Sequence, residues 1–116
     1  MVVHWLTIRV CAFRDLKVLA VDRMSGAGDY TQHSGQIRVK FAEVTYMEDT
    51  LLHEVTHAVW DACGLGMMLE RKWGHLLTKA QLTELEEDVI VLQTPGLLGT
   101  LKQAGWLSLP EPPSRE

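Results

Sequence analysis

The chain has 116 residues, 47% hydrophobic and 22% charged, which fits one folded domain around one core and excludes a disordered chain. Its net charge of −4 supplies no basic surface for nucleic acid, and no apolar run approaches the roughly 20 residues needed to cross a bilayer. Two cysteines, Cys11 and Cys63, are too few for a disulfide framework, so a reduced cytoplasmic protein is expected.

The opening MVVHWLTIRVCAFRDLK lacks a basic n-region, a long apolar h-region and a small-residue cleavage site, and reads as part of the fold rather than as a secretory signal. Val2 to Cys11 is rich in β-branched and aromatic residues and predicts a strand; Leu16 to Val21 predicts a second. Ser25-Gly26-Ala27-Gly28-Asp29 reads as a turn or loop. Gln36 to Phe41 alternates polar and apolar residues strictly, the pattern of a strand with one buried face. Its polar residues, Arg38 and Lys40 among them, suit a sheet edge or a solvated surface.

Helices follow. Thr45 with Glu48 has the spacing of a capping box and Gly64 is a stop signal, which predicts a helix from about Tyr46 to Cys63. Residues 64 to 77 are too irregular for a firm helix and too apolar for a free linker. Thr78 with Gln81 predicts a second capped helix to about Gln93. Thr94-Pro95 then predicts a third, short helix through about Ala104, with proline at its first position. Strands first and helices after define an α+β class, with residues 1–109 as one domain and 110–116 as a flexible polar, proline-containing tail.

The chemistry sits in TLLHEVTHAVWDACG, residues 50–64, which contains His53, Glu54 and His57 in the spacing H-E-x-x-H. One helical turn separates the two histidines, which lie about 40° apart on one face, so both imidazoles can reach a single metal ion. Glu54, about 100° round from His53, stands where a general base for water can flank the ion. Leu51, Leu52, Val55, Ala58, Val59 and Ala62 gather on the opposite side, so one face packs while the other presents the polar triplet to a cleft.

Zinc hydrolases usually supply three protein ligands. Continuing the motif finds Trp60 and Cys63 where a glycine and a third histidine would extend it, so the third ligand is sought on another helix. In LTKAQLTELEEDVIVLQT the stripe Leu82, Leu85, Val89 and Leu92 reads as the packed face, with Glu86 at its border and Glu84 and Glu87 further towards solvent. Glu86 is therefore the expected third ligand, with Glu87 and the loop residue His75 as rivals. Asp61 reads as a supporting or surface carboxylate, Cys63 as a small core residue, and His4 and His33 as structural or exposed.

Across SGQIRVKF, TLLHEVTHAVWDACGL and LTELEEDVIVLQTPGLLGTLKQ the chain resembles the small zincin-type proteins encoded by phages and prophages, and more distantly the ImmA/IrrE-like metallopeptidases. The resemblance implies a minimal zincin-like fold, a small sheet packed on the H-E-x-x-H helix and followed by a glutamate-bearing helix. It implies Zn2+ held by His53, His57 and Glu86, with Glu54 as general base of a gluzincin-like metallopeptidase. The partner would be a protein or peptide substrate, in the host cell's cytoplasm for a phage-encoded chain, with strand Ile37 to Phe41 pairing with that substrate. No residue stands out as an oxyanion donor; Tyr46 and His75 are the candidates. The alternative is a non-catalytic protein-interaction module on a zincin scaffold, its metal structural or absent, motivated by the small size and by the apolar stretch Leu65-Gly66-Met67-Met68-Leu69.

Overall fold

The β-branched and aromatic residues of the first ten positions favour extended backbone, and they form β1 (Val2–Val10), which pairs antiparallel with β2 (Arg14–Val21). The computed structural model describes residues 1–11 and 14–114. Two further strands follow, β3 (Gly28–Thr31) and β4 (Gln36–Lys40), and then helices α1 (Val44–Ala62), α2 (Leu65–Trp73) and α3 (Lys79–Gln103). Among the described residues this is an α+β arrangement, a four-stranded mixed sheet in the order β1-β2-β4-β3 followed by three helices.

The sheet differs from expectation in one respect that matters for the site. The strand Gln36–Lys40, expected at a sheet edge or with a solvated face and, through the resemblance, along a substrate at Ile37 to Phe41, is interior: it runs parallel to β2 on one side and antiparallel to β3 on the other. The edges are β1 and β3, and β3 is a four-residue strand whose first two residues, Gly28 and Asp29, fall in the stretch that reads as turn or loop. Gly28 and Asp29 have poor strand propensity, so only pairing with β4 holds them extended.

Directly opposed residues share a sheet face. Val18 lies opposite Ile37, Ala20 opposite Val39, Tyr30 opposite Ile37 and Gly28 opposite Val39, so all of them face the same way. The buried members of this set meet Met47, Leu51 and Ala58 of α1 in the core, with Val55 and Ala62 at its border. In β1 the pairing slips between His4 and Leu6; this bulge turns Trp5 into the core beside the strand's other inward residues.

α1 packs with a rotation the sequence pattern did not anticipate. Its core-facing residues Met47, Leu51 and Ala58 point about 50° nearer to Glu54 than the centre of the expected apolar face, at 100° per residue. Val59, expected to be packed, is 39% exposed, whereas Glu54 is 8% exposed. The capping box does not form at Thr45 either. The helix begins earlier, after Glu43, and Glu48 is buried in an ion pair with Lys102, 2.6 Å away. Gly64 does end the run, in the left-handed conformation (φ 73°) that glycine adopts without strain.

α2 occupies most of the ambiguous stretch. The capping box at Thr78 and Gln81 is present with both of its hydrogen bonds, 2.8 and 3.1 Å. The two helices expected after it are one: α3 runs unbroken through Pro95 to Gln103. Proline removes the amide that would bond the Val91 carbonyl, and the Thr94 hydroxyl donates to the Ile90 carbonyl at 2.7 Å. The buried face of α3 is Ile90, Thr94 and Leu98, not the stripe Leu82, Leu85, Val89 and Leu92. Ending the helix at Gln93 hides the continuation to Leu98 and makes the other stripe look dominant.

The proline-containing segment is docked as far as it is described. Trp5 Nε1 donates to the Pro110 carbonyl at 3.1 Å, Leu109 packs on the core and Pro112 is buried; residues 115–116 of the expected tail lie outside the described residues. Among the described residues no helix is long and apolar enough to cross a membrane.

Candidate metal centre

A cleft of about 980 Å3 opens between β3, α1 and α3, with residues of α2 at its rim. α1 can lie close to β3 because residue 28 is glycine. A Cβ there would sit 2.5 Å from Thr50 Cγ2, 2.8 Å from the Arg38 carbonyl and 3.5 Å from Glu54 Cγ, distances that leave no room for a side chain.

The helical spacing of residues 53 and 57 sets both imidazoles on the cleft side of α1, with ring centroids 5.0 Å apart. Antiparallel to them, α3 contributes Glu86 and Glu87. Glu87 Oε1 lies 3.1 Å from His53 Nε2, and its Oε2 lies 2.8 Å from His57 Nε2. Glu86 sits on the other side of the same ring, accepting a hydrogen bond from His57 Nδ1 at 2.6 Å. The convergence therefore takes in Glu87, and Glu86, the residue expected there, lies behind His57. The cause is the rotation of α3: once Ile90, Thr94 and Leu98 face inward, both glutamates are carried to the α1 side.

The donor set fits a cation. With Nδ1 facing Glu86, Nε2 of His57 is the ring nitrogen turned towards Glu87 and is free to ligate an ion in the Nδ1–H tautomer. Two imidazole nitrogens and a carboxylate then converge, one atom of each within 4.8 Å of the others, and a proton or a cation among them offsets the repulsion of their lone pairs. Nitrogen and oxygen donors in this number match a catalytic zinc site, whose bonds of about 2.1 Å place ligand atoms roughly 3.4 Å apart. Among the described residues this is the one such convergence of histidine, cysteine, aspartate or glutamate ligand atoms.

Glu54 lines the cleft without joining the convergence, its Oε2 4.0 Å from His53 Nε2. Burial raises its pKa above the usual carboxylate value; His53 and His57 pull the other way, while the charges of Glu87 and Asp29 add to the rise. A carboxyl moved towards neutral pH suits proton transfer.

β3 brings residues that sequence reading missed. Tyr30 donates its hydroxyl proton to Asp61 Oδ2 at 2.9 Å, and Arg14 Nη1 lies 3.7 Å from the same oxygen. Burial first, then the hydrogen bond and charge of Asp61, push the phenol up to about 12, against a lowering by Arg14. Asp29 is tied to Arg38 by a two-pronged ion pair, one arm 3.0 Å. The signal for Tyr30 was its alternation with Gly28, invisible without the pairing to β4.

The remaining candidates fall outside the convergence. Tyr46 lines the cleft mouth, 55% exposed. His75 is exposed in the turn between α2 and α3 and is not part of the cleft wall. Cys63, expected in the core, is exposed, as is Cys11, and both are free thiols. His4 contacts the Thr7 hydroxyl at 3.1 Å and His33 is exposed. No protein family, curated protein or solved structure matches the chain.

Proposed function

We propose that the cleft binds one zinc ion through His53, His57 and Glu87 and that the chain is a zinc-dependent peptidase. The observation that carries this reading is the meeting of that three-acceptor set with a buried carboxyl, Glu54, in one cleft wall. Zinc held there would supply Lewis acidity towards a peptide carbonyl and towards water. Glu54 takes the proton of the attacking water and passes it to the departing amine, a transfer its raised pKa favours near neutral pH. Glu86 holds the His57 ring in the tautomer that offers Nε2. An extended peptide fits the free edge of β3, whose outward main-chain groups lie beside the cleft. The exposed free thiols of Cys11 and Cys63 favour a reducing compartment such as the cytoplasm.

The test is metal analysis followed by hydrolysis of a mixed peptide substrate. One zinc per chain and peptide cleavage are expected, and Glu54→Gln should keep the zinc while losing hydrolysis by roughly 100-fold or more. A chain that takes up no zinc overturns the reading; retained hydrolysis in Glu54→Gln removes Glu54 from it.

One observation favours the second reading, a non-catalytic interaction module. Glu87 already lies within 3.1 Å of both Nε2 atoms, so protonated histidines would satisfy it with no ion. A folded chain that cleaves no peptide, whether or not it takes up zinc, would be its signature.

A further inference from the structure

α3 has two apolar faces nearly opposite each other. Ile90, Thr94 and Leu98 face the protein, while Leu85, Val89 and Leu92 stand 39, 37 and 83% exposed. The outward residues are spaced four and three apart, and Gly96 and Gly99 continue that alternation. This is the heptad spacing of a helix that packs along another helix. The two halves of the seam differ in kind. The first is bulky; the second is empty, since a Cβ at Gly96 or Gly99 would meet nothing within 4 Å.

From this we infer that the outer face of α3 is a dimer interface and that its occupant is α3 of a second copy, running antiparallel. In that pairing Leu92 sits over the glycine hole at 96 of the other copy, Val89 over the hole at 99, and Leu85 over Gln103. A bulky half and an empty half on one helix fill each other through a two-fold axis near residue 94, the self-complementarity a symmetric dimer requires. Charge agrees. The seam positions 85, 89, 92, 96, 99 and 103 carry no charge, and the antiparallel register keeps Asp88 away from Asp88 of the second copy, towards the end that carries Lys102 on the same flank. A lipid surface would call for several lysines or arginines along the seam, whereas the flanks carry Lys102, already tied to Glu48, with Glu86 and Asp88.

Among the described residues Leu85 and Val89 are covered in part and Leu92 is left open. The segment after α3 lies on β1 through the Trp5–Pro110 bond. The radius of gyration is 15.0 Å, with a long dimension of 50 Å, against about 13 Å for an equidimensional chain of this length. The interface lies on the side of α3 away from the cleft, so dimerisation leaves the metal ligands accessible, and it does not depend on the zinc reading.

Sedimentation velocity of the full chain, from about 1 µM to about 300 µM, tests it; a seam smaller than a standard interface predicts a dimer that forms within that range. Leu92→Glu and, separately, Gly99→Leu should each weaken association at least tenfold. Gly99→Leu removes a helix-weakening residue while filling the hole, so loss of the dimer in that variant, with circular dichroism unchanged, does not reflect unfolding. A wild-type chain monomeric throughout leaves the face to a different protein and overturns the proposal, as does either variant dimerising like the wild type.

Discussion

Glu86 and Glu87 are adjacent in the chain, yet they meet opposite nitrogens of His57, Nδ1 at 2.6 Å and Nε2 at 2.8 Å. If zinc is held as proposed, their loss is unequal. Glu86→Gln disturbs ring orientation and should weaken zinc by 10- to 100-fold, the usual effect of such support. Glu87→Gln removes a ligand and should cost more than that. A chelator-competition titration ranks the two, and a weaker effect at 87 than at 86 would reverse the assignment. Glu54 makes a separate prediction. Its raised pKa means that the fold favours the neutral carboxyl, so this stabilisation is complete below the ordinary carboxylate range and is lost as pH rises through the raised value. Glutamine stays neutral throughout. In the metal-free chain, Glu54→Gln should therefore be the more stable protein at pH 8, by on the order of 1 kcal/mol, with the gap closing near pH 4. Thermal melts at the two pH values check it, and an equal gap at both would mean that ionisation is not the cause. His53, Glu54 and His57 were legible because their spacing is itself the geometry. The choice between Glu86 and Glu87 was not, since about 100° of helix rotation separates them and only packing sets that rotation.

The elements were legible to the degree that local interactions define them. β1, β2 and α1, together with the Thr78 cap, follow from propensity, periodicity and side-chain capping, which act within a few residues. β3 and the continuity of α3 depend on partners far along the chain: β4 for Gly28 and Asp29, and the core for Leu98 beyond Pro95. The β3–α1 contact makes Gly28 a sharp test. Gly28→Ala must displace Thr50 or the Arg38 carbonyl, and overpacking of this kind costs about 1–3 kcal/mol. Because the displaced helix, α1, carries both His53 and His57, the variant should also weaken zinc binding. Denaturant unfolding with and without zinc measures both effects, and a variant as stable as wild type would show that α1 can retreat freely from the strand.

For the whole molecule, α3 is held against α1 at two places by different chemistry. At one end, Lys102 reaches the buried Glu48 at 2.6 Å; at the other, Glu86 and Glu87 meet His53 and His57. The first clamp is an ion pair with one end half-exposed, which salt weakens. The second is a knot of protonatable groups that a metal would tighten and a chelator or acid would loosen. High salt and metal withdrawal therefore act on opposite ends of one rigid rod. Applied together, they would leave α3 held by its buried face alone, Ile90, Thr94 and Leu98. The wall of the cleft would then pivot on that apolar strip, and the two carboxylates that face the histidines would move with it.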